Sequence, residues 1–219
     1  MRVSLYTVAE GEDYAPFVKG WWESVQTVVP MPDEIVVVIG KDDHANARPI
    51  MDNDERVTLI ELDEPFSNNF FTAGVEACTG DWISFCGIDD RMLPLAYNEL
   101  SIADHQGAEI MVGTIVLSNG ATWRGIWDPT ALQHHNTLPA HSPFRKSLYD
   151  RVGGFPDIRW SDWGFWLKCA RAGVNVHHSS QPIAIFDIGE GRETMSGVGL
   201  ADDKRRAADK ELQDFLATL

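Results

Sequence analysis

Trp82-Ile83-Ser84-Phe85-Cys86-Gly87-Ile88-Asp89-Asp90-Arg91 decides the fold: a short apolar run of strand length meets a glycine and two adjacent carboxylates. An apolar strand of this kind belongs in a sheet covered on both faces, and polar groups at its carboxyl end are site candidates. The same design appears upstream, where Glu34-Ile35-Val36-Val37-Val38-Ile39-Gly40 leads into Lys41-Asp42-Asp43. Val3 to Val8 and Val57 to Leu62 read as two further strands. Between them, Tyr14 to Val29 carries Phe17, Trp21, Val25 and Val28 at helical spacing until Pro30 and Pro32 stop it. A second helix follows Ser67-Asn68-Asn69 and runs to about Cys78, before Gly80.

The second half of the chain changes character. Pro94 to His105 reads as a helix, Glu109 to Leu117 as a strand, and Ser118-Asn119-Gly120 as a hairpin turn into Thr122 to Trp127. Asp128 to Pro143 lacks periodicity and reads as a loop. Leu148 to Val152 and Asp162 to Ala172 are helical, the latter stopped by Gly173, and Val174 to His178 and Pro182 to Phe186 suggest two late strands. Ala201 to Leu219 is an amphipathic closing helix. The expected fold is α/β: one domain with a mostly parallel central sheet, antiparallel additions and helices on both faces.

Composition narrows the function. The 219 residues, 44% of them hydrophobic, suffice for one domain with a core. No apolar run approaches the roughly 20 residues that cross a bilayer, and no signal-like stretch opens the chain, so a cytoplasmic protein with no membrane span is expected. Cys78, Cys86 and Cys169 form an odd set without CxxC spacing, which predicts buried thiols. A net charge of -15, from 33 acidic against 18 basic side chains, argues against tight nonspecific nucleic-acid binding. No GxGxxG follows a strand and no GxxxxGK[ST] is present, which removes the dinucleotide and P-loop readings.

Two places carry chemistry. Asp89-Asp90 at a strand end suits a divalent cation that in turn holds a diphosphate; the same pair also suits the cap of a helix starting near Leu93. In Trp160-Ser161-Asp162-Trp163-Gly164-Phe165-Trp166-Leu167, Asp162 is the one carboxylate in an aromatic neighbourhood. Burial there raises its pKa and suits it to act as a general base; a plain helix cap is the alternative. Trp123 and Trp127 are placed to stack on a sugar or simply to pack. Of the adjacent His177 and His178, at most one faces a common site, leaving the other solvated, and His134, His135 and His141 lie in the loop without ligand spacing and are expected to be solvated.

These pieces resemble the family 2 type of nucleotide-sugar glycosyltransferase, which has the GT-A fold. Ala73-Gly74-Val75-Glu76-Ala77-Cys78-Thr79-Gly80-Asp81-Trp82-Ile83-Ser84-Phe85 is similar to its helix, glycine and strand, with Gly87-Ile88-Asp89-Asp90 at its DxD position. Ser142 to Tyr149, Arg151-Val152-Gly153-Gly154-Phe155-Pro156 and Ser161-Asp162-Trp163 with the helix after it resemble the segment around its acidic catalytic motif. The resemblance spans about Val3 to Phe186. It implies an inverting, hexosyltransferase-like enzyme using a UDP- or GDP-linked donor and Mn2+ or Mg2+, with an unidentified acceptor. By position it implies Asp162 as base, Asp89 and Asp187 as metal ligands, and Thr7, Asp42, Asp43, Asp89, Asp90 and Arg91 around the nucleotide sugar. Residues 1-91 are then the donor half, 92-200 the acceptor half and 201-219 a closing helix. Gly87 replaces the first Asp of DxD, so that one contact falls to Asp90 or is missing, while Ser161 replaces the usual Glu and Thr72 a common Asn. These departures keep open a domain that binds nucleotide or glycan without turnover. A sugar-phosphate nucleotidyltransferase is disfavoured by the absence of a glycine-rich, Arg-containing loop after the first strand.

Overall fold

The first strand, β1 (Val3–Ala9), is buried along its whole length, which requires cover on both faces of the sheet. In the computed structural model, which describes residues 1–9, 14–40, 54–63, 67–189 and 201–219, β1 lies between two parallel neighbours, β2 (Glu34–Gly40) and β4 (Trp82–Phe85). β3 (Val57–Leu62) extends the parallel half outside β2. Beyond β4 the pairing becomes mixed. The two-residue β8 (Phe144–Arg145) is antiparallel to β4 and to β6 (Ile110–Leu117), and β9 (Val176–Phe186) is parallel to β6. β5 (Arg91–Met92) closes antiparallel on β9, and β7 (Thr122–Arg124) forms a hairpin with β6. The strand order is β3-β2-β1-β4-β8-β6-β9-β5, with β7 beside β6. The predicted α/β class, with a parallel half and antiparallel additions, is what the chain adopts.

Alternation along β1 splits the core in two. Leu5 and Ala9 face a cluster with Trp21 and Val25 of α1 (Ala15–Val25) and with Leu100 and Ala103 of α3 (Leu100–His105). Tyr6 and Val8 face the other side, with Phe70 and Val75 of α2 (Asn68–Ala77), Leu148 of α4 (Lys146–Val152), Phe165 and Trp166 of α5 (Ser161–Ala172), and Leu212 of α6 (Asp202–Leu216). Gly74 lets α2 approach the sheet, since a Cβ there would sit 2.5 Å from the Tyr6 ring. The three cysteines are free and buried, as expected. Among the described residues no helix is long and apolar enough to cross a membrane.

Three local expectations change. The helix expected from Pro94 is a string of turns that becomes regular only at Leu100. Asp128 to Pro143 is loop apart from one 3-10 turn, Ala131–Gln133. The two late strands are one 11-residue strand, whose polar middle is accommodated by register shifts against β6 between Val112 and Thr114 and between Thr114 and Ile115.

α1 is pinned to the end of β4, because the fully buried Trp21 donates from Nε1 to the Cys86 carbonyl at 3.2 Å. Trp21→Ala is expected to lower the unfolding free energy by about 3–5 kcal/mol in urea titrations. Ile102→Ala, at a side chain 48% exposed, should change it by no more than about 0.5 kcal/mol.

Candidate active site

The carboxyl end of β4 feeds a tight turn in which the Asp90 amide donates to the Gly87 carbonyl at 2.9 Å. Glycine at 87 is a packing requirement. A Cβ there would lie 2.7 Å from Asp90 Oδ2 and 2.9 Å from Asp89 Oδ1, so the residue that breaks the DxD pattern leaves room for both carboxylates. Asp89 is half-buried and lines a cleft of about 830 Å³. Asp187, the first residue after β9, lines the same cleft, and its carboxylate accepts from the Gly189 amide at 3.0 Å.

Asp90 lines the same cleft and is also tied into the fold. It is almost fully buried, and its two carboxylate oxygens are both engaged: Oδ2 accepts from His141 Nε2 and Oδ1 from the Asp187 amide, each at 2.8 Å. A carboxylate with one hydrogen bond on each oxygen keeps lone pairs for a further contact. Asp89 and Asp90 do not cap a helix, since the chain continues directly into β5. The imidazole of His141, expected to be solvated, is only 3% exposed, and its ring lies 6.1 Å from those of Phe85 and Phe186.

α5 lines the same cleft. Asp162 is the second residue of that helix rather than its cap, which is Trp160. Asp162 is half-buried at the cleft, and its Oδ2 accepts from Asn136 Nδ2 at 3.0 Å. The Asn136 amide is oriented in turn, because its Oδ1 accepts from the Leu138 amide at 3.2 Å. Burial raises the Asp162 pKa above the usual carboxylate value; the Trp163 amide, Asn136 and His141 oppose that rise without cancelling it. Trp163 fixes the adjoining loop by donating from Nε1 to the Leu132 carbonyl at 2.7 Å. Trp160, Trp163, Trp166 and Trp123 all line the cleft, whereas Trp127 packs into the core away from it. α6 also reaches the cleft, through Arg205 and Asp209.

The remaining expected site residues lie elsewhere. Thr7 is fully buried and, by alternation, shares the β1 face of Leu5 and Ala9 rather than the cleft face of Tyr6 and Val8. Arg91 does not line the cleft: its guanidinium donates to the Asp90 carbonyl at 2.7 Å and packs on α1, where a Cβ on Gly20 would lie 2.5 Å from Nη2. Asp42 and Asp43 lie outside the described residues. His177 hydrogen-bonds Glu99 at 2.9 Å and His178 accepts from the Trp127 amide at 3.2 Å, so neither adjacent histidine serves the cleft. His134 and His135 are exposed. Sequence reading missed His141 and Asn136, whose signal is burial and contact across the fold rather than spacing.

Asp89 and Asp187 suit a hard divalent ion, which is commonly held by one or two carboxylates together with substrate phosphates. Among the described residues no group of three or more His, Cys, Asp or Glu side chains is arranged to hold an ion.

No family model matches the chain. It is 27% identical over 104 residues to PGL/p-HBAD biosynthesis glycosyltransferases of Mycobacterium bovis and Mycobacterium tuberculosis, a match covering 44% of this chain. The chain spans about 40% of the length of those curated relatives. Among solved structures it is similar to S. aureus TarS 1-349 in complex with UDP-GlcNAc, with a TM-score of 0.70 and 16% identity over 90% of this chain and 61% of that one. It is also similar to the mannosyltransferase PcManGT from Pyrobaculum calidifontis in complex with GDP-Man and Mn2+, with a TM-score of 0.58 and 20% identity over 84% and 56% of the two chains. The chain has the GT-A fold of these glycosyltransferases.

Because the folded-state pKa of Asp162 is raised, its charged form opposes folding at neutral pH, and that cost disappears as pH falls through the raised value. Asp162→Asn should therefore unfold at higher urea than the parent at pH 7, with the difference shrinking under acidic conditions. Equal midpoints at pH 7 would contradict the burial assigned to this carboxylate.

Proposed function

We propose that the chain is an inverting glycosyltransferase, moving a sugar from a UDP- or GDP-linked donor to an acceptor hydroxyl with help from Mn2+ or Mg2+. The observation that carries this reading is that Asp162, with its raised proton affinity, lines one cleft with Asp89 and Asp187 on a GT-A fold. Glycosyltransferase names among the relatives, and the nucleotide sugars named with the similar structures, support it.

In this reading Asp162 takes the proton of the acceptor hydroxyl as its oxygen bonds to the anomeric carbon. The bond from that carbon to the diphosphate oxygen breaks, and the nucleoside diphosphate leaves with the electron pair. Attack from the face opposite the leaving group inverts the configuration. Asn136 holds the base and favours its charged form, which a hydroxyl can then protonate. Asp89 and Asp187 would hold the ion, which when bound neutralises charge on the departing diphosphate. The aromatic wall around Asp162 excludes water from the base and offers flat faces to the acceptor.

Asp162→Asn should reduce transfer by about 10³-fold while leaving donor binding nearly intact. Asp89→Ala should weaken Mn2+-dependent donor binding at least about tenfold, the equivalent of ~1.4 kcal/mol. Full transfer in the first variant, or unchanged metal dependence in the second, removes that residue's role. Nucleotide-sugar binding by the parent protein without transfer or donor hydrolysis would favour the binding-only reading.

The base must be deprotonated to work, so kcat should fall as pH drops through a midpoint above the ordinary Asp value of about 3.9. Asn136→Leu removes a hydrogen bond to the charged form and should move that acid limb to higher pH. A limb that stays in place would show that Asn136 does not tune the base.

A further inference from the structure

Beside the two cleft carboxylates, and lining the same cleft, is the buried pair His141 and Asp90, whose arrangement extends the donor-site reading given above, on which it rests. We propose that this pair is the positioning element of the donor site, holding Asp89 and Asp187 on one wall. Asp90 reaches across the chain in both directions: its partners His141 and the Asp187 amide lie 51 and 97 residues away in sequence. One carboxylate thus ties the turn that bears Asp89 to the segment that bears Asp187.

The surroundings are built around that tie. Gly87 leaves the space the Asp90 carboxylate occupies, and Arg91 secures the turn through the Asp90 carbonyl. His141 stands between Phe85, which leads into the turn, and Phe186, which directly precedes Asp187. Its Nδ1 is buried and makes no hydrogen bond among the described residues. Stability alone is a poor reason to keep such a pair, because apolar side chains of similar volume usually serve a core as well or better. Placement of two half-buried cleft carboxylates is a function that apolar packing does not provide.

The test compares His141→Phe, which keeps a ring but loses the donor, with His141→Gln, whose amide nitrogen reaches about as far as Nε2. Binding of UDP and of GDP, each with and without MnCl2, is measured by calorimetry on the whole chain, alongside thermal melts and donor KM and kcat. The account predicts that folded His141→Phe binds nucleotide with Mn2+ at least tenfold more weakly, shows a donor KM that rises more than kcat falls, and is unchanged in Mn2+-free binding. His141→Gln should recover most of the affinity. If His141→Phe does not fold, His141→Asn, too short to reach Asp90, takes its place with the same expectations. Parent-like affinity in the folded variant, or a loss that tracks only the unfolded fraction, overturns the positioning role while the donor-site reading stands. Failure of the parent protein to bind either nucleotide with Mn2+ overturns that reading and this proposal together.

Discussion

The carboxylate of Asp90, removed from water and held by an imidazole and a backbone amide, is the interaction on which the cleft depends. An ionisable group at that depth is tolerated only when its oxygens are satisfied, so the three segments that meet there have little freedom to move independently. The turn after β4, the loop containing His141 and the exit from β9 are consequently one unit. That unit and the first turn of α5 both line the cleft.

The two parts of the lining use opposite electrostatic strategies. At the β4 and β9 ends, carboxylates gather at an open cleft in a protein of net charge -15, which favours a cation as the bridge to an anionic substrate. At α5, a lone carboxylate is surrounded by aromatic side chains, and burial lifts its proton affinity towards that of a useful base. Neither part needs an unusual residue.

Much of the fold was legible because its parallel half is built from continuous apolar runs bounded by glycine or proline, as in β2 and β4. The unread parts have specific causes. β5 and β8 are two residues each, too short to show a period, and β9 hides Ser179-Ser180-Gln181 inside a strand because bulged pairing tolerates polar residues there. In the site, Asp89, Asp162 and Asp187 were visible as acids at element ends. Asp90 beside Asp89 is expected at the donor site, and sequence does not show that its carboxylate also turns to His141 and the Asp187 amide. Thr7 was assigned to the donor from its strand, yet period-two alternation places it on the far face. His141 carries no spacing signal, because its partner Asp90 lies 51 residues away in sequence.

The central claim is that Asp89 and Asp187 receive the donor's diphosphate while Asp162 faces the acceptor. A crystal structure of the chain with a nucleoside diphosphate sugar and Mn2+ tests it most directly. The account predicts an ion touching Asp89 and the diphosphate, with the anomeric carbon presenting its free face towards Asp162. Nucleotide bound outside this cleft, or a sugar whose free face points away from Asp162, would contradict it.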